Sequence, residues 1–265
     1  MRYGTALLAI AAAVIVTCAC TLIATNKDTD DETPRIGIIG AMEDEVSSLK
    51  DSMSIDRKET VSGMEFCIGT LDGRDVVIAQ CGMGKVNAGI CASTMINEFG
   101  AYCVINTGVA GSLDNVLDIG DMVISTEAVQ HDFDVSPIGF QKGEIPYTGK
   151  VAFPADAKLI SAAERAISEC APEIKSVKGR VCSGDQFINT NEQKDRITSE
   201  FGGLCCEMEG GAIAQSCYLN NVPYVIIRAI SDKPDGSEQQ EYHEFEEQAA
   251  KRCAEIVHYM VKNCF

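Results

Sequence analysis

The chain has 265 residues, of which 46% are apolar and 23% charged, and its formal net charge is -17 at pH 7. That length suits one large globular domain or two small ones. A surface this acidic repels nucleic acid and other polyanions, so a small-molecule ligand is expected. With 23 Gly, 7 Pro and no Trp, the core is expected to be aliphatic and strand-rich.

The first 33 residues stand apart from the rest. Arg2 precedes an apolar run from Ala6 to Ala24, which gives way to the acidic NKDTDDET. A positive start, an apolar middle and an acidic exit predict an export signal. A run of about 19 residues also suffices to span a bilayer. The flanking charges place the C-terminal body outside the cytoplasm. Cys18 and Cys20, in VTCAC, offer a lipidation site. Cleaved signal, lipid anchor and retained membrane helix all stay open. The expected layout is a leader with an acidic linker over 1–33 and one domain over 34–265. The 13 Cys include no C-x-x-C. Most are read as reduced core residues that behave as small hydrophobes, which sits awkwardly with export to an oxidising compartment.

From Pro34 onward, short apolar runs alternate with helical patterns. Strands are predicted over Arg35–Ile39, Val76–Cys81, Cys103–Asn106, Asp121–Thr126, Gly179–Ser183, Leu204–Glu207 and Tyr224–Ile230. Helices are predicted over Glu43–Asp51, Val86–Phe99, Ala157–Glu169, Gly210–Asn220 and Phe245–Cys264. The last carries Ala249, Cys253, Ile256, Val257, Met260 and Val261 at helical spacing. This alternation predicts a mainly parallel sheet with helices outside it.

Ligands of such sheets lie beyond the carboxyl ends of the strands. The segments there read GAMEDE, GMGKVNAG, TGVAGSL, SGDQFIN, EMEGG and RAISD. GMGKVNAG fits neither the phosphate-loop spacing nor the dinucleotide fingerprint. It reads as a tight turn whose small residues let the next helix pack closely. Acids at such ends often cap helices. Several gathered at one edge instead raise one another's pKa values and suit general acid/base work.

Taken in order, IGIIGAMEDEV, GMGKVNAG, INTGVAGSL, SGDQFIN, CCEMEGGAIAQ and VIIRAISD resemble the bacterial 5′-methylthioadenosine/S-adenosylhomocysteine nucleosidases. The likeness runs over essentially the whole body from Ile36. It implies a nucleoside phosphorylase-like fold, a three-layer α/β/α-type mixed sheet closing toward a barrel with flanking helices, and a homodimer. It implies hydrolysis of the N-glycosidic bond of methylthioadenosine, S-adenosylhomocysteine and 5′-deoxyadenosine, releasing adenine. On the resemblance, Asp232 protonates adenine N7 and Glu45 holds and deprotonates the attacking water. Glu209 bonds the ribose hydroxyls, Met208 packs on the sugar, and Glu207 stands with them in the substrate site. Phe187 and Ile188 hold the purine, Ser231 orients Asp232, and Ala110 and Gly111 line the base pocket. Met83, with Ile138 and Phe140, belongs to an alkylthio pocket that a partner subunit completes, and Tyr242 closes over the site. Water is the second substrate and no cofactor is implied. Val109 stands where many family members have Ser.

Alternatives remain on the residues alone. A purine nucleoside phosphorylase needs a cationic phosphate cradle, and Glu45 stands where such a pocket is needed. Arg228, inside the last strand, reads as structural. A futalosine or AMP hydrolase of the same fold is harder to exclude, although AMP again wants a phosphate cradle. A non-catalytic exported nucleoside-binding protein is the third. His131, His243 and His258 are too scattered for a metal site.

Overall fold

A computed structural model of the chain describes residues 33–232 and 242–265, except for the side chains of 242–246. The leader expected over 1–33 therefore lies almost wholly outside the described residues, and so does the side chain of Tyr242. From Thr33 the chain forms one compact unit.

The apolar runs of the sequence become β1 (Arg35–Gly40), β4 (Arg74–Gln80), β5 (Ala101–Ser112), β6 (Met122–Gln130), β8 (Ser176–Ser183), β9 (Cys205–Glu207) and β10 (Tyr224–Asp232). With β2 (Ser54–Val61), β3 (Met64–Leu71) and β7 (Ala152–Pro154) they make one sheet, ordered β10-β6-β8-β9-β5-β1-β4-β3-β2, with β7 on β6. β10 also pairs with β5. The strands β5, β10, β6, β8 and β9 thus close into a small barrel, and β1, β4, β3 and β2 extend from it as a wing. The expectation of a mainly parallel sheet needs correction, since β2–β3, β3–β4, β5–β9, β6–β7 and β6–β10 are antiparallel. The sheet is mixed.

Helices cover it in layers. α2 (Lys85–Phe99) and α5 (Gly210–Asn220) bury Cys91, Met95, Ile213 and Cys217 on one side. α1 (Glu43–Ser52), α3 (Ala157–Cys170) and α6 (Tyr242–Cys264) bury Val46, Leu49, Ile167 and Val257 on the other. Each such aliphatic side chain withdrawn from water contributes about 1.5–3 kcal/mol. The small residues set the layer spacing. A Cβ at Gly37 would meet Met95 Sδ at 2.5 Å, so α2 seats directly on β1. The Cys residues serve the same packing. All those described are unpaired, and burial pushes the thiols of Cys91, Cys103 and Cys182 up to about 12. They are uncharged at neutral pH. Among the described residues, no helix is long and apolar enough to cross a membrane.

Besides the short β7, the longer elements β2, β3 and α4 were not anticipated. β2 and β3 form a hairpin through Ser62 and Gly63, both at positive φ, and β2 is exposed along almost its whole length, so it shows no apolar run. α4 (Asn191–Phe201) opens on a Thr190/Gln193 capping box and buries Lys194, Ile197 and Phe201. Its one-sided pattern of a few residues is easily taken for a loop.

Candidate active site

A cavity of about 110 Å³, open to solvent, lies where the ends of β1, β5, β9 and β10 converge. Its walls include Ala41, Met42 and Glu45 from the first strand exit, Val109–Gly111 of β5, Cys206–Glu209, and Ser231 and Asp232 at the end of β10. Met83 and Gln186–Ile188 complete it.

Of the three acids in GAMEDE, only Glu45 turns inward. Glu43 and Asp44 stay in solvent on the first turn of α1, and Glu43 pairs with Lys50 at 3.0 Å. Glu45 is 2% exposed. Its Oε2 accepts the Ala41 and Met42 amides at 2.6 and 3.0 Å, and its Oε1 accepts the Val109 amide at 3.1 Å. Burial raises its pKa, with the Arg228 charge and the three amides pulling the other way. Gly108 makes the approach possible, because a Cβ there would lie 2.3 Å from Glu45 Oε1 and 2.6 Å from Arg228 Nη1.

Glu207 and Glu209 share a second carboxylate cluster. Glu207 is saturated: Oε1 accepts the Ser183 hydroxyl, and Oε2 accepts the Glu209 and Gly210 amides and the Arg228 guanidinium. It lines the cavity, yet its oxygens already serve the framework. Glu209 is the freer carboxylate. Its Oε1 takes the Gly84 amide at 2.9 Å, and Arg228 lies 3.7 Å from its Oε2. Burial, and next to it the Glu207 charge, pushes its pKa up to about 7. Arg228, inside β10 and 1% exposed, thus balances three carboxylates and holds Asn106 at 2.7 Å. The sequence reading took it as structural. Its place at the hub of the acid cluster was legible only in three dimensions.

Asp232 stands half-buried at the opposite wall. The Ser231 hydroxyl donates to its Oδ1 at 3.3 Å and to the Ala110 carbonyl at 3.4 Å. Gly111 lies so close that a Cβ would sit 3.0 Å from both Asp232 oxygens. Lys194 from α4 donates to Oδ2 at 3.0 Å. This cation was missed, since nothing in NEQKDRITSEF distinguishes it from a solvated lysine.

The other sequence candidates fall as follows. Met208 lines the cavity, Ile188 is buried in its wall, and Phe187 is exposed at its mouth. Met83 borders the mouth and is exposed, whereas Ile138 and Phe140 do not line the cavity of one chain. Tyr242 begins α6. The GMGKVNAG turn carries no phosphate-loop geometry. Gly82 and Gly84 take positive φ, and Lys85 is consumed by Asp132 at 2.5 Å and Gln130 at 3.1 Å. Among the described residues, none that lines the cavity is Lys, Arg or His. Among the described residues, no group of three or more His, Cys, Asp or Glu could hold a metal ion.

The cavity thus brings together a buried carboxylate, Glu45, a second, Glu209, whose pKa is raised to about 7, and a third, Asp232, at the end of β10. Comparison with known proteins shows the family and the fold. Residues 35–262 match the phosphorylase superfamily model. The chain is 40% identical over 229 residues to a 5′-methylthioadenosine/S-adenosylhomocysteine nucleosidase of Staphylococcus carnosus, covering 86% of this chain and 99% of that protein. A crystal structure of such a nucleosidase from Colwellia psychrerythraea in complex with adenine superposes with a TM-score of 0.82 at 36% identity, covering 88% and 96% of the two chains. A futalosine hydrolase of Helicobacter pylori superposes at 0.81 with 31% identity, covering 86% and 97%.

Proposed function

The chain belongs to the phosphorylase superfamily, and from that premise we propose how its cavity cleaves a nucleoside. It is a 5′-methylthioadenosine/S-adenosylhomocysteine nucleosidase, a hydrolase of the N-glycosidic bond. The observation that carries this is the set of three carboxyls, Glu45, Glu209 and Asp232, on one cavity in whose lining, among the described residues, there is no cation. A phosphate nucleophile would meet buried negative charge there, and water would not.

Each group then has a task. Asp232 protonates N7 of adenine, so the base leaves neutral rather than as an anion. The sugar becomes oxocarbenium-like as the bond stretches, and the buried carboxylates favour that positive charge. Glu45, fixed by three amides, takes a proton from the attacking water. Glu209 accepts from the ribose hydroxyls, with Met208 against the sugar. Phe187 stacks on the purine, Ile188 bonds it through its backbone, and Ala110 and Gly111 leave room for the ring. Ser231 fixes the Asp232 rotamer, and Glu207 holds the Glu209 turn. A methylthio tail runs toward Met83, and 5′-deoxyadenosine fits the same slot.

The test is adenine release from methylthioadenosine by residues 34–265, with and without phosphate. Release that needs phosphate would move the assignment to a phosphorylase. Futalosine in place of methylthioadenosine checks the nearest relative, and faster cleavage of futalosine would move the substrate assignment.

Two further readings belong here. A homodimer is supported by exposed apolar side chains beside the cavity mouth, where Met83, Val86 and Ile90 stand in solvent at 63%, 72% and 40%. The charge and apolar pattern of residues 1–33 supports export, with the domain outside the cytoplasm and held by a lipid or membrane anchor where the leader is kept. Fractionation of the source cells tests it, and enzyme found only in the cytosol overturns it.

A further inference from the structure

Lys194 lies in the first turns of α4, 3% exposed, above the apolar cluster that receives Ile197 and Phe201. Its Nζ donates to Asp232 Oδ2 at 3.0 Å, and the Ser231 hydroxyl donates to Oδ1. Asp232 thus accepts hydrogen bonds on both oxygens, from an ammonium on one and from a hydroxyl on the other. Yet the reaction asks this carboxyl for a proton.

We infer that Lys194 is the proton reservoir of Asp232, a positioning residue that recharges the acid through its hydrogen bond. This rests on the nucleosidase reading. As the glycosidic bond breaks, its electron pair goes to N9 of adenine. One proton leaves Lys194 Nζ for Asp232, and Asp232, as the acid, passes a proton to N7. The water oxygen bonds the anomeric carbon, and its proton goes to Glu45. Lys194 is left as a neutral amine and regains a proton from solvent, while Glu45 returns its proton to solvent.

Burial makes the first transfer accessible. Lys194 is withdrawn from water while Asp232 keeps partial access to it, so burial penalises the ammonium and narrows the gap to the neutral pair of amine and carboxylic acid. Cys206 of β9 faces both groups, and burial keeps its thiol protonated. Glu207, next on β9, is committed to Arg228 of β10. On α4 itself, Asp195 and Arg196 are exposed.

The test is the pH profile of kcat for the parent, Lys194→Met and Lys194→Arg. Methionine fills the same space without a charge. Arginine keeps the charge but cannot give up its proton. Both variants are expected to lose the alkaline side of the profile, with turnover at pH 8 down by on the order of a hundredfold and KM nearly unchanged. An arginine variant that turns over like the parent would reduce Lys194 to an electrostatic anchor and overturn the inference. A methionine variant whose alkaline limb stays put or moves to higher pH would overturn it too. Thermal melting separates a misfolded arginine variant from a proton-starved one, and the methionine variant then decides alone. A parent that releases no adenine would remove the nucleosidase reading itself. An active parent with an unmoved limb removes only the role of Lys194.

Discussion

The Val109 amide on β5 donates to Glu45 Oε1 at 3.1 Å, joining the first strand exit to a strand 64 positions later in the chain. With the Ala41 and Met42 amides on Oε2, it fixes both carboxylate oxygens. Glu45→Gln puts an amide NH2 against one of these donors and removes the proton acceptor. Turnover is expected to fall by about 10²–10⁴-fold, while calorimetry still detects binding of the substrate. Near-normal turnover would remove Glu45 from the chemistry.

Gly108 is the position on which this approach depends. An alanine Cβ would lie 2.3 Å from Glu45 Oε1, closer than any real contact, so the carboxylate must shift. Gly108→Ala is expected to cut kcat at least about tenfold, since small misplacements of a reacting group are costly. Its KM should change less. The measurement is steady-state kinetics beside a melting curve, to separate displacement from unfolding.

Glu209 links the cavity to stability. Its pKa in the folded protein is raised to about 7, against 4.5 for an ordinary glutamate. The native state therefore binds more protons than the unfolded chain between those values, and stability falls as pH rises through that window. The loss attributable to Glu209 is about 3 kcal/mol, complete above its folded pKa. Chemical denaturation at pH 5 and pH 8 checks it. The parent should lose this much more than Glu209→Gln between the two conditions, and equal slopes would contradict the assignment.

The apolar face of α2 gives a prediction about assembly. Val86 and Ile90 are one helical turn apart and both exposed. Val86→Asp is expected to convert a dimer to monomers in sedimentation equilibrium. A parent protein that is itself monomeric would overturn the dimer.

The acids that line the cavity were legible in the sequence because each sits in a short, ordered motif at a strand end. Other features were hidden for definite reasons. β5 was expected to end at Asn106, yet it runs on through TGVAGS to Ser112. Glycine usually weakens strands, but here the barrel closure and the close approach of Glu45 and Asp232 require it. The hairpins at Ser62–Gly63 and Asp72–Gly73 carry the turn residues that positive φ favours. The exposed β2 that precedes the first of them lacks an apolar pattern, and that concealed the signal. Arg228 was read as structural only and Lys194 was passed over, because a lone cation carries no motif. Their meaning lies in contacts with residues far away in the chain.

The central claim is that water, held at Glu45, is the nucleophile. Cleavage of methylthioadenosine in H₂¹⁸O, in the presence of phosphate, tests it most directly by mass spectrometry of the sugar product. The account predicts free methylthioribose carrying one ¹⁸O at the anomeric carbon, and no sugar phosphate. A 1-phosphorylated sugar without the label would contradict it.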